Sequence, residues 1–416
     1  MDLIYVLDYR FARTPDGDIW TDTSYDAAFW DPYLRVFDQV VLISRVREVA
    51  AAGQTWRRVN SSLVSVLPLP HYLGPTQFIR QSAQIRRLMR KYLQRPGAVM
   101  LRVPSQLSNC AAARLQKMQR PYSVEVVGDA SASLAPGVIR ARGRSFFRWW
   151  FTRCQKQQCA NAVGASYVAR ILNERYPART GATVLICSDV RLEVNWIRHN
   201  VRSFAPPGAT KLVTVATLSQ TYKGLEVLLD AVAKCHRQGL PLTLTLIGDG
   251  KYRGELEAQA KQLNIANYVR FTGALAWGSE LITELDRADL FVLPSRVEAL
   301  PRALLEAMAR ALPCIATRVG AVPDLLDAQS IVTAGDSEEL AKRISSVAAD
   351  PLHLTEMSSQ NLAIARQYAS DLLRPRWNAF YRECAGNTAL IAWSQKQNPT
   401  APATVTLATH PGQING

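Results

Sequence analysis

The sequence predicts an α/β protein of two domains, each built on a largely parallel sheet covered by helices on both faces. Three observations carry this. The chain has 416 residues, 48% of them hydrophobic, more than one core usually supports. Short apolar, β-branched runs alternate with helix-length segments, the pattern of parallel strands buried on both sides. The series then breaks at residues 204–209, where Pro206, Pro207 and Gly208 make a stiff, turn-rich linker.

The first six runs lie at residues 3–7, 40–44, 63–67, 98–102, 123–127 and 183–187. Six more lie at 212–216, 242–247, 268–271, 290–293, 314–316 and 331–333. The expected domains are therefore 1–205 and 206–366. Residues 367–386 read as a helix with an aromatic cluster, Trp377, Phe380 and Tyr381. Residues 387–416 turn polar and rich in Thr, Pro and Gln, and read as a disordered tail. Open α/β sheets bind ligands beyond the carboxyl ends of their strands. A cleft between two such sheets is the expected place to bring two substrates together.

Composition narrows the class. Charged residues are 20% of the chain, ordinary for a globular protein. No run of 18 apolar residues suggests a membrane span, and the first residues are too short and too acidic for a signal peptide. The seven cysteines, at 110, 154, 159, 187, 235, 314 and 384, form no framework, so reduced thiols and a cytoplasmic location are expected. Cys154 and Cys159 lack further ligands nearby, which argues against zinc. Net charge is +15, and residues 86–156 hold fifteen Lys and Arg against Glu125 and Asp129. Such a patch draws anionic partners: acidic lipid, phosphorylated substrate or nucleic acid.

The chemistry concentrates between residues 215 and 326. A strand ending at Ala216 leads through Thr217-Leu-Ser-Gln-Thr-Tyr to Lys223-Gly224, with a helix opening near Gly224. A lysine at a helix N-terminus suits phosphate, although a surface lysine before a helix reads the same way. Gly248-Asp249-Gly250 and Phe271-Thr272-Gly273 end two further strands; glycine there lets backbone approach a ligand, and such triplets are also common turns. Glu298 lies on the loop after run 290–293 and Glu306 on the helix that Pro301 opens. Two carboxylates flanking a helix start can take sugar hydroxyls while the helix takes the diphosphate. Gly320-Ala-Val-Pro-Asp324 makes one more strand-to-helix loop.

In this order and spacing, these pieces resemble the donor half of glycosyltransferase family 4, the retaining GT-B enzymes. The resemblance covers about residues 210–385. It implies that Lys223 neutralises the donor diphosphate, Glu306 binds ribose hydroxyls and Glu298 contacts the transferred sugar. Backbone around Gly224, Gly248, Gly250, Leu300 and Gly320 would help hold donor. Transfer would retain anomeric configuration, need no metal and use the leaving phosphate to help deprotonate the acceptor. The aromatic helix resembles the one that crosses back onto the first domain in this fold. Departures are Ala216-Thr217 where the family often has Gly-Arg, Ala299 after Glu298 in place of glycine, and Asp324 in place of Glu.

The first half is less informative. Arg10, Arg13, Asp18 and Arg45 follow its first two strands and are acceptor-side candidates; each also reads as a surface residue. Asp16-Gly-Asp18 reads as a turn and not a metal motif. Asp129, after run 123–127, is a third catalytic candidate, and equally a turn residue. Residues 140–153 interleave Arg with Phe and Trp. That suits an anionic membrane surface or a helix with core aromatics and solvated arginines.

The sequence thus predicts a retaining, metal-independent glycosyltransferase. It would move sugar from a UDP- or GDP-sugar to a glycan or lipid-linked saccharide, in cell-surface polysaccharide or glycolipid synthesis. The alternative is a non-catalytic nucleotide-sugar or polysaccharide binding protein on the same fold. No dedicated cofactor and no nucleic-acid partner are expected. The location is cytoplasmic, with attachment to the inner membrane face left open.

Overall fold

The computed structural model describes residues 1–135, 143–204, 209–275 and 278–397. Pro206, Pro207 and Gly208, the basic residues Arg140 and Arg142, and residues 398–416 lie outside them.

The chain divides into two compact units. One comprises Met1–Ala130, Trp149–Cys187 and the chain from Arg374 on; the other comprises Ser131–Arg148 and Ser188–Leu373. The junction thus falls at residue 188, ahead of the expected 206. The cause is apolar: Val190, Leu192, Trp196 and Ile197 are buried in the second unit's core, so the chain has joined that unit before the prolines are reached.

The first unit holds β1 (Leu3–Arg13), β2 (Ile19–Thr21), β3 (Val40–Glu48), β4 (Arg57–Arg58), β5 (Val64–Pro70), β6 (Ala98–Val103), β7 (Ser123–Val126), β8 (Gly164–Tyr167) and β9 (Thr183–Ile186). Its parallel strands run β5-β3-β1-β6-β7-β8-β9, while β2 and β4 add antiparallel beside the end of β1. Strand order reverses between β1 and β6. Strand β8 went unseen in the sequence because Gly164-Ala-Ser-Tyr167 has no β-branched residue. Phe380, Tyr381 and Cys384 of the C-terminal helix sit in this unit's core with Trp30 and Tyr33. Buried Glu125 accepts hydrogen bonds there from the hydroxyls of Tyr5, Tyr33 (2.9 Å) and Tyr381 (3.1 Å), and pairs with Arg102 at 3.2 Å. A carboxylate in such a core is tolerable only with this many partners. The helix spans Ser370–Gln397, so residues 387–397 are helical where a disordered tail was expected. Thr-Ala-Leu-Ile-Ala-Trp is compatible with helix, and Asn387, Thr388 and Ile391 are buried.

The second unit is one parallel sheet of six strands, β10 (Thr210–Val215), β11 (Leu242–Ile247), β12 (Val269–Gly273), β13 (Leu290–Leu293), β14 (Cys314–Thr317) and β15 (Ile331–Val332). Their order is β12-β11-β10-β13-β14-β15. Successive side chains enter opposite cores, as the two-residue period requires. Val213, Phe291 and Leu293 face one layer of helices, and Leu212, Leu290 and Val292 the other. Both units are thus Rossmann-like. The strand order of the second reverses between β10 and β13, the point where a doubly wound sheet opens a crevice at its carboxyl edge.

Candidate functional site

The loops that follow β10 and β13 meet across that reversal. The first runs from Ala216 through a single helical turn, Thr221–Lys223, into the helix Leu225–Arg237. The second runs from Pro294 to the helix Arg302–Ala309, with Pro301 as its N-cap. Lys223 Nζ lies 2.7 Å from Glu298 Oε1, with side-chain exposures of 18% and 11%. Buried Ser295 donates its hydroxyl to the same oxygen at 2.7 Å. Ser295 is fixed in turn by Thr317, whose hydroxyl donates to its carbonyl. Arg296 binds the first loop back: its N–H donates to the Tyr222 carbonyl at 2.7 Å, and its guanidinium pairs with Glu226.

Two glycines make this lacing sterically feasible. Gly224 has φ +68° and caps the Leu225–Arg237 helix in the left-handed region. A Cβ there would run into the Pro294 carbonyl oxygen. Gly320, φ +51°, lies against the carbonyls of Glu298 and Ala299, and the next amide, Ala321, donates to Ala299 at 2.9 Å. Gly248 and Gly250 bring the loop after β11 against the loop after β10: Leu218 N–H donates to Asp249 O, and Tyr252 N–H to Leu218 O, both at 3.0 Å. Four loops at one sheet edge are therefore tied together around Lys223 and Glu298. Neither of the helices opening there, Leu225–Arg237 and Arg302–Ala309, has a side-chain cap, so their first amides are not taken by a capping side chain. Glu306 is the fifth residue of the Arg302–Ala309 helix and is half-buried. Leu300 packs on the core beneath the loop.

This edge collects the residues 216–224, 248–252, 294–306 and 320–321, and those same residues fall inside a recognisable module. The family model described as glycosyl transferases group 1 matches residues 209–350. This segment is a glycosyl transferases group 1 domain. Lys223, Glu298, Glu306 and Gly320 all belong to the group 1 domain, as do the loops that bind them together. CapJ of Staphylococcus aureus is 27% identical over 346 residues, 83% of this chain and 85% of CapJ. The lipopolysaccharide core biosynthesis glycosyltransferase LpsE of Rhizobium meliloti (strain 1021) is 34% identical over 132 residues, 31% of this chain and 36% of LpsE. Among solved structures, HepE of Anabaena in complex with UDP and glucose superposes with a TM-score of 0.62 at 17% identity, covering 93% of this chain and 99% of that one. The fold is of the GT-B type.

The remaining candidates are placed differently. Asp129, in the first unit, is buried, accepts from Tyr176 Oη at 2.5 Å and pairs with Arg175. Asp16 accepts from Thr14 Oγ1 at 2.5 Å and from the Asp18 amide at 3.1 Å, a closed turn; Asp18 pairs with Arg58. Arg13 pairs with Glu48 at 2.6 Å on the surface. Arg45 lies 2.8 Å from Asp8 and stacks on Tyr72, its guanidinium carbon 4.3 Å from the ring centroid. Arg10 is exposed beside it, as its register partner across β1 and β3.

Sequence reasoning missed Arg202. It lies 8% exposed and donates to the carbonyls of Arg310 (2.7 Å), Ala288 (2.7 Å) and Leu285 (3.1 Å), and to Asp286 Oδ1 at 3.1 Å. Burial pushes its guanidinium down to about 10, against the pull of Asp286. Arg202 thus closes the carbonyl ends of two helices in the group 1 domain. Nothing in its sequence neighbourhood distinguishes it from a surface arginine.

Proposed function

We propose that this chain is a retaining glycosyltransferase that moves a sugar from a nucleotide-sugar donor to a glycan or lipid-linked saccharide, in cell-surface polysaccharide or glycolipid synthesis. The observation that carries the reading is the Lys223–Glu298 pair straddling the strand reversal of the group 1 domain. Cleaving the anomeric C–O bond builds negative charge on the departing diphosphate and positive charge on the sugar ring. Lys223 and the uncapped helix starts meet the first need by electrostatic preorganisation. Glu298 is set to accept from sugar hydroxyls, and Glu306 from the ribose. A lysine and two helix starts supply the neutralisation that a divalent cation gives elsewhere, which supports transfer without a metal.

The acceptor proton is assigned to the leaving phosphate, as the family 4 resemblance implies. Asp129 is not given the role of base, because its carboxylate is engaged by Tyr176 and Arg175. UDP- and GDP-sugars remain the proposed donors, and a UDP-sugar is the first to test, since the HepE structure holds UDP and glucose.

We place the protein at an anionic membrane face. In the helix Arg144–Asn161, Phe146 is 60% exposed, Trp149 57%, Trp150 43% and Phe147 36%. The buried residues of that helix are Gln155, Gln158 and Cys159, so the aromatics are not core. Four exposed rings among Arg144, Arg148 and Arg153 match a surface that offers anionic headgroups above an apolar layer.

The test is incubation of the purified chain with UDP-, GDP- and ADP-sugars, without divalent cation and with EDTA. Release of free nucleoside diphosphate from one of them, faster than in a Glu298→Gln control, supports the reading. Binding of a donor with no hydrolysis or transfer under any acceptor tried would favour a binding protein instead.

A further inference from the structure

The first unit has a carboxyl-edge cluster that the donor chemistry does not use. Arg10 on β1 is the register partner of Arg45 on β3, and Arg45 that of Leu69 on β5. Register partners in a parallel sheet share a face, and so do residues two apart on one strand. Arg47 is two beyond Arg45 on β3, and His71 follows directly on the end of β5 at Pro70. Arg10, Arg45 and Arg47 therefore share one face in the carboxyl halves of β1 and β3, with His71 just past β5 and the cluster beside the β1–β6 reversal. The electrostatics agree: burial and then Arg45, Arg10 and Arg47 hold the His71 imidazole below its ordinary value.

The compensating acid is spent. Asp8 pairs with Arg45 at 2.8 Å and accepts from the amides of Gln106 (3.2 Å) and Leu107 (3.3 Å). Among the described residues, no carboxylate lies within ion-pair distance of Arg10, Arg47 or His71. Arg45 is held rigidly, stacked on Tyr72 and donating to its carbonyl at 2.9 Å, while its buried Nε has no partner among the described residues. A buried guanidinium N–H without an acceptor is costly. Three arginines, each suited to fork-like recognition of phosphate, thus share one face toward the carboxyl edge, with the Arg47 guanidinium carbon 5.4 Å from the Trp56 ring centroid.

We propose that Arg10, Arg45, Arg47 and His71 form an anion subsite in the N-terminal unit that takes the phosphate or diphosphate of a phosphorylated acceptor. The word acceptor rests on the glycosyl-transfer reading; the anion site itself does not. Its ligand class is a phosphate ester, free or carried on a lipid.

The experiment is calorimetric titration of the full chain with inorganic pyrophosphate at low salt. It is done in the Lys223→Ala background, so that the donor diphosphate position is out of play. Arg10→Gln/Arg47→Gln is compared with its parent, and Arg10→Lys/Arg47→Lys serves as the charge-preserving control. The proposal expects pyrophosphate to bind the parent. It expects at least about a tenfold loss in the Gln variant and a smaller loss in the Lys variant, with unchanged melting temperatures. Farnesyl diphosphate provides the second arm: tighter binding than pyrophosphate indicates a lipid-borne ligand, and equal binding a recognised phosphate alone. No pyrophosphate binding to the parent, or equal binding to parent and Gln variant, overturns it. Separate titration of the Lys223 protein with UDP decides the donor reading, so the two can fail independently.

Discussion

Lys223 Nζ and Glu298 Oε1 are 2.7 Å apart, although they lie 75 residues apart in sequence and leave different strands, β10 and β13. Each sits where the sheet order reverses, and each is held by neighbours: Glu298 by Ser295, and the Lys223 turn by Arg296. Glu298→Gln keeps the shape and removes the charge. Lys223→Ala removes the cation. Each is expected to lower turnover by about a hundredfold or more while leaving the melting temperature within a few degrees. Initial rates and thermal melts on the same preparations check this.

The loop lacing makes a stability prediction. At Gly320 an alanine must adopt φ +51° and place its Cβ against the carbonyls of Glu298 and Ala299. Gly320→Ala should cost at least about 2 kcal/mol. Gly239→Ala shares a positive φ, +79°, but meets open space and should cost only about 1 kcal/mol. Urea titration of both, with the wild type, gives the comparison.

Arg202 is the other structural keystone of the second unit. Replacing it with Leu removes the side-chain donor from four carbonyls, of which Leu285 keeps the Ala288 amide, and leaves Asp286 with Arg198 and Arg310. A loss of about 3–5 kcal/mol is expected, read as a lower urea midpoint. A variant as stable as wild type would show that those carbonyls find other donors.

The legible part of this molecule was the part with local signals. Strands β10 to β14 are short β-branched runs bounded by turn residues, and Lys223, Glu298, Glu306 and the loop glycines sit at fixed offsets from them. In the first unit Arg10 and Arg45 read both as acceptor-side candidates and as surface residues, because their grouping appears only when β1 and β3 align. Asp129 looked like a cleft carboxylate because it follows a strand; only the fold brings Tyr176 and Arg175 onto it. The domain junction was misplaced for a related reason. Prolines mark where the chain turns, whereas Val190, Leu192 and Trp196 decide which core it joins.

His71 offers a pH test. Its folded value lies below the usual 6.5, chiefly through burial and then through Arg45, Arg10 and Arg47. The unfolded chain therefore binds the proton more readily. This group's contribution to stability is complete above about pH 6.5 and is lost as pH falls toward the folded value. Its imidazole resonance should titrate below 6.5 in the free protein and move up in Arg10→Gln/Arg47→Gln or with pyrophosphate bound.

The exposed helix face gives a lipid prediction. The protein should pellet with vesicles of phosphatidylcholine and phosphatidylglycerol but much less with phosphatidylcholine alone. Trp149→Ser/Trp150→Ser should weaken pelleting by about tenfold or more. No binding to anionic vesicles at low salt would remove the membrane assignment.

The most direct test of the central claim is calorimetric binding of UDP and of GDP to the wild-type chain and to Lys223→Ala, in EDTA. The account predicts that at least one of the two binds the wild type in the absence of metal, and that its affinity falls at least about tenfold when Lys223 is removed. Equal affinity of both nucleotides for the two proteins, or no binding of either to the wild type, would contradict it.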